Sequence, residues 1–417
     1  MGLCKTYRCL IPRGKQAWAV ILCFLGFPFL APAQLDPEYR RLVQIGYNQP
    51  LEGRGPIAGY GFYYFNQPNL FSTNLALRVA VAPIYLDTEL GFRGLLGPKT
   101  DVALGLSGGG FAQSYSEIRG GHYFQNESFT GHGGDVSVSL YHRFNPNGEL
   151  PVWAILRGGA GLSFYEEDSK TAPDFELPDD RASYYIRTGL RCGGEEPSLT
   201  EPLALELSFW HESKFRGRSG HYGFDNDRVM EAKSHLFWAR GLLKYMFENE
   251  QLVGLGLTAG TSLQADRFSA YRLGGMLPFV SEFPLNIPGY YYQELSAKRF
   301  VLFNGHYSFP LTPEKNWRFS LYGASANVDY LSDLEQPGHW HFGAGGGLAF
   351  ISPTGTWMAM LIYAHGFDAI RDHERGANQI GLMFQCDLEA KARGKSRFFT
   401  PGISPYRSRG AERLFRE

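Results

Sequence analysis

Apolar and polar positions alternate with a period of two along most of the chain beyond about residue 40. Leu203, Leu205, Leu207 and Phe209 alternate with Ala204, Glu206 and Ser208. Val136, Val138 and Leu140 alternate with Asp135, Ser137, Ser139 and Tyr141, and Val253, Leu255 and Leu257 with Gly254, Gly256 and Thr258. Successive side chains of a β-strand point to opposite faces, so each segment predicts a strand with one apolar and one hydrophilic face. Over 237–247 the odd positions are aromatic, aliphatic or small, and the other set carries Arg240 and Lys244. Further strands are predicted at 41–50, 56–67, 73–86, 88–96, 101–115, 151–167, 182–194, 293–311, 317–331, 339–353, 356–370 and 377–386. With the four segments above this makes about 16, an even number that lets a single-chain antiparallel barrel close. The fold class expected is therefore all-β, a closed transmembrane β-barrel.

The connections fall into two lengths, as in barrels with tight turns at one rim and long loops at the other. Asn145 to Gly148, Glu248 to Glu250, Thr312 to Asn316 and Pro353 to Gly355 read as short turns, and 116–133, 168–181, 216–229 and 266–292 as long loops. The last mixes Phe279, Phe283, Leu285 and the run Tyr290 to Tyr292 with Gly274, Gly275 and Gly289. So much aromatic surface suits a loop folded back into the lumen better than one in water.

Ahead of the strands, Lys5, Arg8, Arg13 and Lys15 precede the apolar run Ala17 to Leu30, and Ala31-Pro32-Ala33 follows. Basic, apolar, then small is the order of an export signal, so 1–33 is read as a signal peptide, 34–386 as the barrel and 387–417 as a basic tail without apolar periodicity. The chain has 51 glycines and 15% aromatic residues, with a mean hydropathy of −0.24. That hydropathy excludes a helical membrane protein and suits a barrel, in which only alternate side chains face lipid. A net charge of −1 offers no field for nucleic acid. The expected setting is the cell outer membrane, with its lipid and the barrel-assembly machinery as partners during biogenesis; no cofactor is expected, and the transported substrate is not encoded in any motif.

From about residue 266 onward the sequence resembles the bacterial surface antigen superfamily, which includes BamA-type insertases and two-partner secretion transporters. The resemblance runs through Tyr271-Arg272-Leu273-Gly274-Gly275, Ile287-Pro288-Gly289-Tyr290, Asn304 to Leu311, Gly343 to Gly347, and a final-strand signal in Gln379, Gly381 and Phe384. It implies a lumen loop carried by Gly274, Gly275, Pro288, Gly289 and Tyr290, and a role in transport or in protein or lipid insertion. Pro288 stands where the family has a loop arginine, and the wall aspartate that pairs with it would fall near Ala324. Both partners are absent together, so aromatic packing and backbone hydrogen bonds are expected to hold the loop. Strand-like sequence begins soon after residue 33, which implies a barrel without the family's POTRA domains.

Chemical motifs are sparse, and no catalytic or metal site is expected. Gly105-Leu106-Ser107-Gly108-Gly109 fits the nucleophile-elbow pattern but lies inside a strand, not at a strand-to-helix turn. A lipid hydrolase would need a histidine such as His142 or His211 against the serine; this, and a structural or adhesive barrel, are the alternatives. His339 and His341 share a strand face as two metal ligands would, beside Trp340, which marks an interfacial position. Arg187, Arg191, Glu206, Arg240, Lys244 and Arg318 are predicted to face a solvated lumen, where Glu206→Arg would be tolerated.

Overall fold

The computed structural model describes residues 39–56, 58–145, 151–193, 202–276 and 283–393. The expected export signal, Phe279 and most of the basic tail lie outside them. The strands in chain order are β1 (Arg40–Pro50), β2 (Ala58–Pro68), β3 (Leu75–Ala82), β4 (Tyr85–Phe92), β5 (Thr100–Arg119), β6 (His122–Arg143), β7 (Val152–Glu167), β8 (Arg181–Gly193) and β9 (Leu203–Phe215). They continue as β10 (Gly220–Tyr222), β11 (Arg228–Met230), β12 (Lys233–Met246), β13 (Leu252–Leu263), β14 (Tyr271–Leu273), β15 (Leu295–Pro310), β16 (Trp317–Tyr330), β17 (Trp340–Ile351), β18 (Trp357–Arg371) and β19 (Glu374–Asp387).

Sixteen of these form a closed antiparallel barrel. Each pairs with its neighbour in the chain, β9 runs on to β12 and β13 to β15, and β19 returns to β1 from Leu42↔Asp387 to Pro50↔Gln379. Closure leaves no edge strand, and so no row of unpaired backbone groups facing lipid. The hairpin β10–β11 and the short β14, which pairs with Leu295 to Ala297 of β15, belong to the long loops.

The two faces sort as the alternation predicts. Leu207 and Phe209 are exposed, while the neighbouring Glu206, Ser208 and Trp210 are buried inward. Exposed aromatic residues mark both rims. Near the end where β1 enters and β19 leaves, Trp317, Phe350, Trp357 and Phe384 touch in sequence, with centroid separations of 4.9, 5.4 and 6.1 Å. At the loop end, Trp340 and Phe342 pack at 6.0 Å. Trp340 and Phe350 lie ten residues apart on β17; at about 3.4 Å per residue and a tilt of about 40° that is roughly 26 Å, close to the apolar band of an outer-membrane barrel.

One predicted loop is instead structure. Residues 116–133 continue β5 and β6 into a long hairpin that turns at Gly120-Gly121 and lies against Ile370 of β18, with register shifts after Gly109 and Gln113 that bend it over the mouth. Its polar residues read as loop, but Glu117 and Glu127 are buried in an ion cluster with Arg119, Arg228 and Arg267. Around that cluster Tyr115, Phe129, Phe175, Tyr222, Met230 and Phe268 form an aromatic cap drawn from four connections.

Candidate functional site

The segment between β13 and β15 is tied at several points. At its start Asp266 Oδ1 accepts hydrogen bonds from the backbone N–H groups of Phe268 and Ser269 at 3.1 and 2.9 Å, and its Oδ2 meets Arg216 at 2.5 Å. Short β14 then doubles back on β15. At Gly274 and Gly275 the backbone is left-handed, with φ of 130° and 86°. Gly274 N–H donates to the Leu285 carbonyl at 2.9 Å, and Gly275 pairs with Ile287. The structure thus brings the glycine pair and Pro288-Gly289-Tyr290 to one place.

From there the segment touches inward residues around the barrel. Arg272 donates to the Ser116 carbonyl on β5 at 2.7 Å. Phe283 packs edge-on against Trp210 of β9 and Trp238 of β12, centroids 5.2 and 5.4 Å away. Met276 joins Met358, Met360 and Met383 on the wall formed by β18 and β19. Contacts with inward residues of β9, β12, β18 and β19 place the described residues of the segment inside the cylinder, and the Ser116 contact ties it to the hairpin over the mouth.

The tip is seated by close backbone approach. Gly289 has φ +83°, and a Cβ on it would lie 1.9 Å from the Gly366 nitrogen; a Cβ on Gly343 would lie 2.1 Å from the Pro288 oxygen. Gly343 is the register partner of Ala324, so Pro288 sits beside the wall position that the resemblance pairs with it. The register of β18 with β19 shifts between Gly366 and Ile370, where the tip rests.

Two tyrosines of the loop are held individually. The two ring nitrogens of His341 each meet a tyrosine hydroxyl, Nδ1 that of Tyr290 at 3.0 Å and Nε2 that of Tyr330, one nitrogen accepting and the other donating. Tyr291 lies under the Arg371 guanidinium, 3.5 Å from ring centroid to carbon. Burial pushes the Tyr291 phenol up to about 12 and raises those of Tyr290 and Tyr292 as well; all three are neutral at ordinary pH.

Here one expectation is corrected. Aromatic packing and backbone hydrogen bonds are not alone in holding the loop: Arg371 on β18 grips Glu294 at the loop's end in a two-pronged pair, Nη1 to Oε1 at 2.9 Å and Nη2 to Oε2 at 2.8 Å. Glu294 Oε2 also takes the Tyr291 N–H at 2.8 Å. The acid is on the loop and the base on the wall, the reverse of the arrangement that the resemblance led us to seek. Sequence reasoning missed the pair because its members stand 77 residues apart. The one available signal was a carboxylate two residues after the last tyrosine of an aromatic run.

The remaining candidates sit elsewhere. Glu206 is 2% exposed, with Arg191 Nε at 3.7 Å and the Ser208 hydroxyl donating at 3.1 Å; Arg240 and Lys244 are also buried. A solvated, permissive environment is therefore corrected for these three, since Glu206→Arg would set a cation among cations. Arg318 donates to the Glu250 carbonyl at 2.7 Å, near the short-turn rim. Gln379 and Gly381 lie on β19 opposite Pro50 and Asn48, and Phe384 closes the aromatic row. Ser107 donates to Asp135 at 2.5 Å and His142 meets Thr100, so the elbow-like motif has no histidine against its serine. His211 instead lies 3.0 Å from Ser213 on the outer face. His339 donates to the Val328 carbonyl and does not converge with His341; no group of three or more metal-ligating His, Cys, Asp or Glu occurs among the described residues.

The closed sixteen-strand antiparallel barrel has counterparts among solved structures. The chain is similar to CdiB from Acinetobacter baumannii (11% identity, TM-score 0.55, covering 84% of this chain and 60% of that one) and to CdiB from Escherichia coli (12%, 0.54, 83% and 63%). It is also similar to BamA from Haemophilus ducreyi lacking POTRA domains 1–3 (10%, 0.51, 83% and 70%). No protein-family model and no curated relative matches the sequence. At such identities the likeness is one of fold, and the chain spans about 60% of the length of the CdiB chains.

Proposed function

We propose that this chain is an outer-membrane barrel that serves transport, or the insertion of protein or lipid, with the β13–β15 loop as its gate. The observation that supports this best is the loop itself: it lies inside the cylinder, yet it is tied at discrete points, the Gly289 seat and the Arg371–Glu294 pair, and not by continuous strand pairing. A segment held that way can release without breaking the barrel's own hydrogen bonds. The fold likeness to CdiB and BamA agrees with this reading. Planar-bilayer recording of the purified full chain against a deletion of 275–289 tests it. The deletion is expected to raise conductance and lower thermal stability together. Unchanged conductance, or a silent barrel that turns over lipid esters, would overturn it.

A further inference from the structure

The outer wall carries a groove. It is about 710 Å³ and is lined by residues of β9, β12, β13, β15 and β16, a size typical of small-ligand sites. The strand registers explain its shape. One row of outward positions runs Phe209↔Ala239↔Ala259↔Val301↔Asn327↔Trp340. Two alanines in the middle of that row sink the surface between Phe209 and Val301, both strongly exposed at 64% and 49%. The next row toward the loops runs His211↔Phe237↔Thr261↔Arg299↔Asp329.

Where the first row has Ala259 and Val301, the second has Thr261 and Arg299, followed by Asp329. Its Arg299–Asp329 end lies two residues loopward of the Val301–Asn327 pair that is in register with Trp340, the loop-end aromatic marker, and so near the depth of lipid headgroups. Arg299 and Asp329 meet there at 2.7 Å with both side chains largely exposed. An exposed pair of this kind contributes little to stability. What it offers is one cation and one anion side by side, directly above an apolar trough.

We propose that this groove holds a single phospholipid whose headgroup carries a phosphate and a primary amine, the phosphatidylethanolamine type. An acyl chain lies along Ala239 and Ala259 between Phe209 and Val301. The phosphate meets the Arg299 guanidinium, whose planar donors suit it, and the ammonium meets the Asp329 carboxylate. Asn327, between trough and ion pair, presents an amide at the depth of the ester carbonyls. A purely anionic headgroup satisfies Arg299 and is repelled by Asp329, so charge complementarity selects the zwitterion.

The inference rests on the barrel sitting in a membrane, and its test separates the two. Full-length protein is reconstituted in nanodiscs of equal parts dioleoyl phosphatidylethanolamine and dioleoyl phosphatidylglycerol, and retained lipid is read by native mass spectrometry after detergent release. Heat-modifiable gel migration reports barrel formation independently. One ethanolamine lipid is expected on the wild type. Ala259→Phe, which fills the trough, should lose it with gel migration unchanged, and Asp329→Asn should shift retention toward the glycerol lipid by about fivefold, the weight of one charge contact at a membrane surface. Retention of the two lipids in bilayer proportion, or an Ala259→Phe variant that holds lipid as the wild type does, would overturn the proposal.

Discussion

Replacing Arg371 by methionine tests how the loop is held. Glu294 is 1% exposed, and its carboxylate accepts both guanidinium donors and the Tyr291 N–H. Methionine keeps the length of the stem and removes the cation, leaving a buried carboxylate with one backbone donor. Breaking a buried pair from one side costs about 3–5 kcal/mol, with loss of the Arg371 contact to the Tyr291 ring adding about 1 kcal/mol. The penalty falls on the docked loop, because an undocked Glu294 is solvated. At 1.4 kcal/mol per tenfold, the resulting total of about 4–6 kcal/mol moves the balance of docked to released loop by roughly three to four orders of magnitude. The barrel wall keeps its ladder, so the effect should appear as a higher open probability in planar bilayers and a lower melting temperature for the loop, with heat-modifiable migration intact. Pairing Arg371→Met with Glu294→Gln removes the stranded charge and should recover more than half of the loss. If Arg371→Met alters neither open probability nor melting, or if the double variant is as impaired as the sum of the singles, the latch assignment is wrong.

Gly289→Ala should undock the tip, since φ +83° and a Cβ 1.9 Å from the Gly366 nitrogen oppose it together, at about 1–3 kcal/mol; raised conductance checks this. Leu255→Arg places a cation on the exposed outer face and should destabilise the barrel by about 2–4 kcal/mol in denaturant titration of the reconstituted protein. Glu206→Arg should also destabilise it, through repulsion from Arg191, Arg240 and Lys244. For Tyr291, whose phenol is raised in the docked loop, the stability it contributes is whole below the unfolded value of about 10 and is lost as pH climbs toward 12. Conductance should therefore rise between pH 10 and 12, and less steeply in Tyr291→Phe.

Much of this architecture is local and therefore readable from the sequence. A period of two is set by the pleat of each strand, so the strands, their lipid-facing sets and the barrel class follow from residues such as Leu207, Glu206 and Phe209 without knowledge of any neighbour. The aromatic loop was equally legible, because a run such as Tyr290 to Tyr292 has to find cover. Pairings around the cylinder belong to the tertiary structure. Arg371 finds Glu294 across 77 residues, and Glu117 finds Arg267 across 150. A polar stretch reads as loop until its ionic partners are known, which is why 116–133 emerges as a hairpin. The groove depends on register: Ala239 and Ala259 are ordinary residues on two strands, and they make a trough because the pairing of β12 with β13, and of β13 with β15, sets them side by side next to Val301 and below Arg299.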